Sequence, residues 1–483
     1  MRTPDAVVVG SGPNGLSAAV ALARAGLRVL VREAAATAGG GARTLPLTLP
    51  GFLHDHCSAV HPLAVASPFF RTLPLAAHGL RWISPPAAVA HPFDDGTAAV
   101  LGPGFEATDA TLGADAHAWR ALFAPLAREL PALLEEVLGP VLHRPRRPLL
   151  LARFGLPALL PAARLARVRF RGPRARALLA GLAAHANRPL EAAASAAFAL
   201  VLGAAGHAVG WPFPEGGAGA IAAALAAALR ARGGELATSA EVRRLEELPP
   251  ARAVLLDLTP RQVLRVAGAR LPARYARRLA AFRYGPGAFK VDWALAGPIP
   301  WRAAACAGAG TVHLGGTLEE IAAAEAAVDR GEVPARPYVL LAQPTRFDPS
   351  RAPPGRHVAW AYCHAPRGFE GDLTAAVEAQ VERFAPGFRE LVLARAVRGP
   401  AALEQDDANL VGGDVGAGEA SLAQLVARPV LSADPWSTPV PGLYLCSAST
   451  PPGGGVHGMC GWHAARAALR HLGLAPDPES FAP

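Results

Sequence analysis

The sequence predicts an α/β protein built on a parallel sheet, with a second, mixed sheet and a helical cap interleaved with that core. Three observations lead to this class: a strand–helix–strand unit at the N-terminus, a strand followed by a helix near the C-terminus, and the composition. Hydrophobic residues make up 51% of the 483 residues and charged residues 18%, which excludes a disordered or coiled-coil chain. At ~150 residues per domain, the length predicts about three structural units, or two if one is interleaved with another.

The N-terminal unit begins with Ala6–Val9, a short apolar run typical of a fully buried parallel strand. A Gly-rich motif follows, then a predicted helix over residues 16–25 that Gly26 stops, and a second strand over residues 27–31. The motif reads Gly10-Ser11-Gly12-Pro13-Asn14-Gly15. Strand, motif, helix and strand in this order indicate a Rossmann-type unit that binds a dinucleotide.

The glycines of the motif have separate physical tasks. Gly10 permits a tight turn, Gly12 leaves room for a pyrophosphate, and Gly15 allows close helix–strand packing. The helix N-terminus then faces the anion. Glu33 follows the second strand, where a carboxylate accepts hydrogen bonds from an adenosine ribose.

The residues after Glu33 distinguish FAD from NAD. The segment Ala34-Ala35-Ala36-Thr37-Ala38-Gly39-Gly40-Gly41-Ala42-Arg43 resembles the flavoprotein family of phytoene desaturases, carotenoid isomerases and flavin amine oxidases. This resemblance implies FAD as the cofactor, with the turn and its arginine at the pyrophosphate and ribityl chain. The cofactor contacts implied here are Ala34, Gly40, Gly41, Ala42 and Arg43. Gly41-Ala42 is inserted between the usual glycine pair and Arg43.

The C-terminal region is similar to the second FAD motif of the same family. A buried strand over residues 441–446 precedes a Gly-rich turn and a helix predicted from about Trp462 to Leu472. The family places this helix N-terminus at the pyrimidine end of the flavin, where it stabilises the negative charge of the reduced ring. The implied contacts are Ser449, Gly455, Val456, His457, Gly458 and Met459. Ser447 and Ala448 stand where the family commonly has glycine and an acid.

A third match lies between the two ends of the chain. Residues 210–220 precede a helix with Ile221, Leu225 and Leu229 at four-residue spacing, and residues 235–242 read as a strand. The resemblance implies that Val242 binds adenine through its backbone. No second complete GxGxxG motif has a strand and an acid around it, so a nicotinamide domain is not expected. Molecular oxygen or a quinone is the expected electron acceptor.

Lys290 is the single lysine among 47 Lys and Arg residues. Arginine cannot deprotonate or occupy the same compact site, so this lysine is a candidate catalytic residue. Its strand alternates, with Phe289, Val291 and Trp293 on one face and Lys290 and Asp292 on the other. It resembles the amine oxidase strand whose lysine holds a water at flavin N5. The alternative is a solvated lysine paired with Asp292.

Other residue clusters carry weaker signals. His457 is the second catalytic candidate, either as a base or as a residue that shapes the flavin turn. Residues 54–61 contain three His, one Asp and one Cys, but neighbouring residues on a strand point to opposite faces, so no metal is expected. The net charge of +9 comes from dispersed arginines without a nucleic-acid motif, so no nucleic-acid partner is expected.

The predicted architecture is a discontinuous, glutathione reductase-like FAD domain of residues 1–75, 205–270 and 425–480. Residues 76–204 form the predicted helical cap, and residues 271–424 the substrate-domain sheet. The leading hypothesis is a dehydrogenase, desaturase or oxidase that takes a hydride from a C–H bond next to carbon or nitrogen in an apolar or partly apolar small molecule, forming C=C or C=N. A redox-neutral flavin-dependent isomerase and a non-catalytic flavin-binding protein remain alternatives. The expected location is cytoplasmic, with peripheral membrane contact left open.

Overall fold

The computed structural model describes residues 3–475, so residues 1–2 and 476–480 of the predicted FAD domain lie outside the described residues. The strands are β1 Ala6–Val9, β2 Val29–Arg32, β3 Thr44–Leu45, β4 His54–Asp55, β5 Trp82–Ile83, β6 Ala87–Pro92, β7 Ala98–Leu101, β8 Phe213–Pro214, β9 Glu235–Ala237, β10 Ala253–Leu256, β11 Gly287–Leu295, β12 Ala309–Leu314, β13 Val339–Ala342, β14 His357–Ala365, β15 Val392–Arg398 and β16 Leu443–Leu445.

The helices carry most of the remaining chain, joined by loops and short 3-10 turns. They are α1 Pro13–Arg24, α2 Pro62–Val65, α3 Glu106–Leu112, α4 Ala116–Arg128, α5 Leu130–Val137, α6 Pro148–Ala158, α7 Ala162–Arg169, α8 Pro173–Ala184, α9 Ala196–Val209, α10 Gly219–Arg230, α11 Pro260–Ala267, α12 Ala273–Ala280, α13 Leu318–Asp329, α14 Thr374–Phe384, α15 Pro400–Asp406, α16 Leu422–Val426 and α17 Met459–His471.

A five-stranded sheet of order β16-β10-β1-β2-β9 forms the dinucleotide-binding core, and every strand pair in it is parallel. Helices α1, α10 and α17 bury their apolar residues on one face, and α11 and α12 cover the other. Because both faces are covered, the strands consist of short apolar runs. Helices α1 and α17 pack closely, since a Cβ at Gly461 would lie 1.8 Å from the Asn14 carbonyl oxygen.

A seven-stranded mixed sheet of order β15-β11-β14-β13-β12-β6-β7 forms the second layer. Only the β12–β6 pair is parallel; the other pairs run antiparallel. Strands β6 and β7 come from the stretch predicted as a helical cap, so residues 76–204 contribute to this sheet as well as supplying helices α3 to α9. The predicted division into domains otherwise stays a prediction.

The predicted strand over residues 235–242 is too long. Strand β9 ends at Ala237, and Ser239 takes a left-handed conformation with φ of 49° that strand pairing does not allow. The chain therefore turns before Val242 and leaves that residue in a loop.

Within residues 3–475, no single helix is long and apolar enough to cross a membrane. Helices α6 and α7 together pass the same length and composition test, but they are bent by 100° at the break between them. Their sequences explain the bend, because Pro157 and Pro161 interrupt the helical hydrogen bonding.

Candidate functional site

One cavity of about 710 Å³ extends between the two sheets. Its size is within the range of small-molecule and cofactor sites. One end of the cavity, which we call the dinucleotide end, is lined by the Gly-rich loop, the end of β2 and the loop that holds Val242. The other end, which we call the chamber, is lined by β11, β13, β14 and two cap residues, His185 and Leu202.

The Gly-rich loop connects β1 to α1 as the motif predicts. Gly10 has a φ of 97°, which favours glycine, and Pro13 occupies the first turn of α1, where its missing N–H costs nothing. The residues of this motif that line the cavity are Gly10, Ser11, Gly12, Pro13 and Asn14. Gly15 does not line the cavity, but its N–H points to the carboxyl of Asp257.

Glu33 is fixed at the end of β2 by three hydrogen bonds. The Ser11 N–H and hydroxyl donate to Oε2 at 2.8 and 2.6 Å, and the Ala35 N–H donates to Oε1 at 2.7 Å. The carboxyl is mostly buried and lines the cavity. It is therefore held rigidly where the sequence predicts an acceptor for a ribose, with lone pairs left for a ligand.

The turn at residues 39–43 touches the Gly-rich loop directly. A Cβ at Gly40 would lie 3.3 Å from the Gly12 Cα, so the two loops approach closely. Arg43 donates from Nε to the Gly40 carbonyl at 2.7 Å and from its guanidinium to the Asp406 carbonyl at 3.2 Å. Arg43 therefore orders the turn itself, and it lines the cavity together with Ala34, Gly40, Gly41 and Ala42.

Val242 lines the dinucleotide end from the loop after β9. Among the hydrogen bonds of the described residues, none uses the main-chain N–H or C=O of Val242. These groups are thus free to bind the edge of a base, which fits the predicted adenine contact.

The C-terminal turn is divided between the cavity and the core. Gly455 and Val456 line the cavity, whereas Ser449, Gly458 and Met459 lie behind it. Ser449 is buried and donates to the Ala417 carbonyl at 2.9 Å, and Gly458 has a φ of 69° at the start of α17. A Cβ at Gly458 would lie 2.2 Å from the Ser17 hydroxyl oxygen, so this glycine permits close packing.

His457 is fully buried and does not line the cavity. Its Nδ1 accepts the Met459 N–H at 3.1 Å, and burial lowers its pKa to about 4. These contacts favour the interpretation that His457 shapes the turn at the start of α17 and count against its use as a base on a substrate.

Lys290 lies on β11 with its side chain in the cavity wall and is 2% exposed, so it is not a solvated lysine. Its ammonium pairs with Asp292 and lies 5.0 Å from the centroid of the Trp360 ring. Burial lowers the pKa of Lys290, while the Asp292 carboxylate opposes that shift. Lys290 is therefore paired with Asp292, as in the alternative given above, but the pair is buried and not solvated.

Asp292 is the shared partner of several groups. Arg398 on β15 donates to its Oδ2 at 3.2 Å, and the His54 Nδ1 lies 3.5 Å from its Oδ1. Burial lowers the pKa of His54 to about 4, so this imidazole is neutral. One buried carboxylate therefore faces two cations, and the half-exposed Asp406 lies 3.6 Å from Arg398 as its second partner.

The strand pairing places further side chains beside Lys290 across the mixed sheet. Lys290 pairs with Arg398 on one side and Tyr362 on the other, Tyr362 pairs with Leu340, and Leu340 pairs with His313. These five side chains form one row on the cavity face of five consecutive strands. Of these five residues, only Lys290 carries a signal in the sequence, because the row exists only after strands far apart in sequence have paired.

The chamber wall is mainly apolar and aromatic. Trp360 and Tyr362 on β14 have ring centroids 6.0 Å apart at an interplanar angle of 23°. His185 also lines the chamber, and burial lowers its pKa to about 3, so it is uncharged. The residues that line the chamber from β11, β13, β14 and the cap include no carboxylate.

Residues 54–61 give no metal site. Within residues 3–475, no group of three or more His, Cys, Asp or Glu side chains could hold a metal ion. Asp55 instead accepts from Arg351 at 2.9 Å and from the Ala218 N–H at 2.7 Å, which anchors this loop to the start of α10.

Comparison with known proteins agrees with this geometry. Residues 8–73 match the family model of an NAD(P)-binding Rossmann-like domain. Over an alignment of 557 positions, the chain is 28% identical to the mouse (Mus musculus) pyridine nucleotide-disulfide oxidoreductase domain-containing protein 2. The alignment covers 97% of this chain and 94% of that protein.

Solved structures with the same fold include two amine oxidases. A double mutant of putrescine oxidase is 19% identical with a TM-score of 0.62, covering 97% of this chain and 99% of that one. Cyclohexylamine oxidase from Brevibacterium oxydans IH-35A is 16% identical with a TM-score of 0.59, covering 98% of this chain and 100% of that one. These likenesses confirm the predicted fold class. The match to an NAD(P)-binding Rossmann-like domain fits the predicted dinucleotide site.

Proposed function

We propose that this FAD-dependent oxidoreductase takes a hydride from a C–H bond next to carbon or nitrogen in an uncharged, largely apolar small molecule, forming C=C or C=N. The observation that carries the proposal is the continuity of the cavity. A dinucleotide end built from main-chain donors and Glu33 opens into a chamber walled by Trp360, Tyr362 and the buried Lys290. Bound FAD supplies the hydride acceptor.

The dinucleotide end fits FAD in several independent features. The Val242 main chain is free for adenine, Glu33 has acceptor sites for a ribose, and Gly12 and Gly40 leave space for a diphosphate between two loops. Helix α17 begins beside Gly455 and Val456, so its positive end supports negative charge at the far end of the cofactor. The cofactor residues predicted from the sequence are therefore proposed as its binding site, with Ser449, Gly458 and Met459 acting from behind.

The charge of the chamber supports an uncharged substrate. Lys290 and Arg398 share the buried Asp292, and only Arg398 has a further carboxylate nearby, Asp406 at 3.6 Å. The chamber wall described above carries no carboxylate that could pair with a cation. An ammonium group would therefore be repelled and desolvated without compensation. If the substrate is an amine, it reacts in its neutral form.

Lys290 has the role of a fixed hydrogen-bond donor in this proposal. Its ammonium is held by Asp292 and by the face of Trp360, so it can hold a water molecule or favour the approach of oxygen at the reacting face. Oxygen or a quinone is the proposed electron acceptor. A redox-neutral isomerase has less use for such a group, although it remains the second candidate.

Anaerobic spectroscopy tests this function. FAD-loaded protein is mixed with putrescine, cyclohexylamine and an uncharged terpene hydrocarbon in separate cuvettes, and the flavin absorbance is followed. Bleaching by the uncharged compound with little response to the diamine supports the proposal. Rapid bleaching of the flavin by putrescine contradicts the proposal of an uncharged substrate. If no compound bleaches the oxidised flavin, but the chemically reduced protein converts a compound into a rearranged product, the protein is an isomerase.

The cap surface supports peripheral contact with an anionic membrane. Six of the eleven exposed large hydrophobic side chains in the described residues lie here; this set, the cap face, is Val141, Leu142, Leu149, Leu156, Leu159 and Val168. Exposed arginines lie in the same stretch of the chain: Arg144, Arg146, Arg147, Arg153, Arg164, Arg167, Arg169 and Arg171. Exposed apolar side chains interspersed with arginine are complementary to acyl chains below anionic headgroups. Helices α6 and α9 pack together, and α9 supplies Leu202 to the chamber, so an apolar substrate could enter from this side.

A further inference from the structure

Asp257 lies directly below the Gly-rich loop. It follows β10, the neighbour of β1, and its main-chain N–H donates to the Val9 carbonyl at 2.8 Å. A Cβ added at Gly10 would lie 3.0 Å from the Cβ of Asp257. A Cβ added at Gly12 or Gly15 would lie 2.8 or 2.9 Å, respectively, from the Asp257 Oδ2. All three glycines of the motif therefore leave room for this one carboxyl group as well as for a diphosphate.

The carboxyl group occupies part of the anion site of helix α1. The Gly15 N–H donates to Asp257 Oδ2 at 2.9 Å, which uses one of the main-chain donors at the helix N-terminus. Within residues 3–475, the hydrogen bonds to this carboxyl group reach Oδ2 and not Oδ1. Asp257 is 7% exposed, and it lines the cavity. An acid is thus placed where a bound diphosphate brings further negative charge.

The charged groups around Asp257 decide its protonation. Burial disfavours the carboxylate most, the Asp407 and Glu33 carboxylates add repulsion from two other segments, and the N–H groups of Gly15 and Gly12 favour the charged form. Burial also raises the pKa of the Cys446 and Cys460 thiols nearby, so these groups bring no charge. The balance raises the pKa of Asp257 to about 7.

We propose that Asp257 binds the FAD diphosphate as a carboxylic acid, with Oδ2 accepting from the Gly15 N–H and Oδ1–H donating to a phosphate oxygen. This inference rests on the proposed function only in that it requires FAD as the cofactor. A neutral acid supplies a donor, whereas a carboxylate would face the diphosphate without a counter-ion. Binding of FAD above neutral pH therefore takes one proton from solvent.

The pH dependence follows from proton linkage. The diphosphate favours the acid form, so the pKa of Asp257 in the complex is above its value in the free protein. The affinity is then constant well below pH 7 and falls by up to about tenfold per pH unit above it. Between pH 7 and pH 9 the FAD dissociation constant is expected to rise by roughly 50- to 100-fold.

The test measures FAD binding to the full chain by quenching of flavin fluorescence between pH 6 and pH 9. The amide of Asp257→Asn accepts from Gly15 with its oxygen and donates with its nitrogen at every pH, so this variant is expected to bind FAD tightly with a flat profile. Asp407→Asn is the matched control, because it removes a second carboxyl that lines the same cavity and is expected to keep a slope. Calorimetry at pH 8 in two buffers of different ionisation enthalpy is expected to report uptake of about one proton.

Two results overturn the inference while the proposed function stands. In the first, the FAD affinity of the wild-type protein does not change between pH 6 and pH 9. In the second, the FAD affinity of Asp257→Asn still falls with pH. If FAD fails to bind at every pH, the proposed function fails together with the inference.

Discussion

The two ends of the cavity are built in different ways. At the dinucleotide end, the groups that face the ligand are mostly main-chain atoms and glycines from loops that leave parallel strands. In the chamber, they are side chains from strands far apart in sequence, such as Lys290 with Arg398 and Tyr362. The first design depends on backbone shape, and the second depends on buried charge. Substitutions should therefore abolish cofactor binding at one end and change stability or reactivity at the other.

Substitution of Gly15 should give the largest effect, because the dinucleotide end has no space for a side chain. A Cβ at Gly15 would lie 2.3 Å from the Gly10 carbonyl oxygen and 2.9 Å from Asp257 Oδ2. Gly15→Val should weaken FAD binding by roughly 100-fold or more, measured by fluorescence titration. Gly308→Ala is the control, since no atom lies within 4 Å of its Cβ position. Unchanged FAD affinity in Gly15→Val would show that the loop does not hold the cofactor.

Removal of the central carboxylate should give the largest effect on stability in the chamber. Asp292→Asn leaves Lys290 and Arg398 buried without their shared counter-ion, so the free energy of unfolding should fall by about 3 kcal/mol. Urea denaturation measures this change, with the exposed Asp329→Asn as the control. A change below ~1 kcal/mol would mean that the two cations do not depend on this carboxylate.

Replacement of Lys290 should affect reactivity more than FAD binding. Lys290→Met keeps a long side chain in the wall and leaves Asp292 paired with Arg398. If oxygen is the acceptor, reoxidation after anaerobic reduction should slow by roughly tenfold, about 1.4 kcal/mol. Stopped-flow absorbance measures the rate, and FAD affinity should stay within about twofold. Equal rates in both proteins would leave Lys290 as a structural residue.

The cap face should give the smallest effect, because single exposed side chains contribute modestly. Leu149 is 84% exposed and Leu156 is 72% exposed. The double substitution Leu149→Ser and Leu156→Ser should lower binding to vesicles of phosphatidylcholine with phosphatidylglycerol by roughly tenfold in a flotation assay. Leu431→Ser, at a position 65% exposed outside the cap, serves as the control. Equal flotation of the cap-face variant and the Leu431 control would argue for another occupant of this surface.

The same contrast explains what the sequence could predict. The motif at residues 10–15, Glu33 and the C-terminal turn are local patterns, so the parallel sheet and the dinucleotide end could be predicted from them. The position of Asp257 directly after the buried run Ala253–Leu256 places it at the end of a strand, where the cofactor is proposed to bind. An acid after a strand has many roles, however, so the sequence does not single this residue out. His457 is a candidate from its place in the turn, and only packing reveals that it is fully buried and does not line the cavity.

The chamber could be predicted at one point alone. Lys290 stood out as the single lysine and by its alternating strand, whereas Arg398 is one arginine among many. The distance of 108 positions between these partners lies beyond any periodicity. The cap strands β6 and β7 were missed for a similar reason, because the parallel pairing of β6 with β12 joins segments more than 200 residues apart.

The central claim is that this chain binds FAD at the dinucleotide end and uses it in redox chemistry in the chamber. The most direct test is the visible spectrum of the purified protein supplied with FAD, followed in the same cuvette by anaerobic photoreduction and readmission of air. We expect a bound flavin whose absorbance bleaches on reduction and returns in air, within seconds for an oxidase and over minutes for a dehydrogenase with another acceptor. A protein that retains no flavin after incubation with FAD would contradict it.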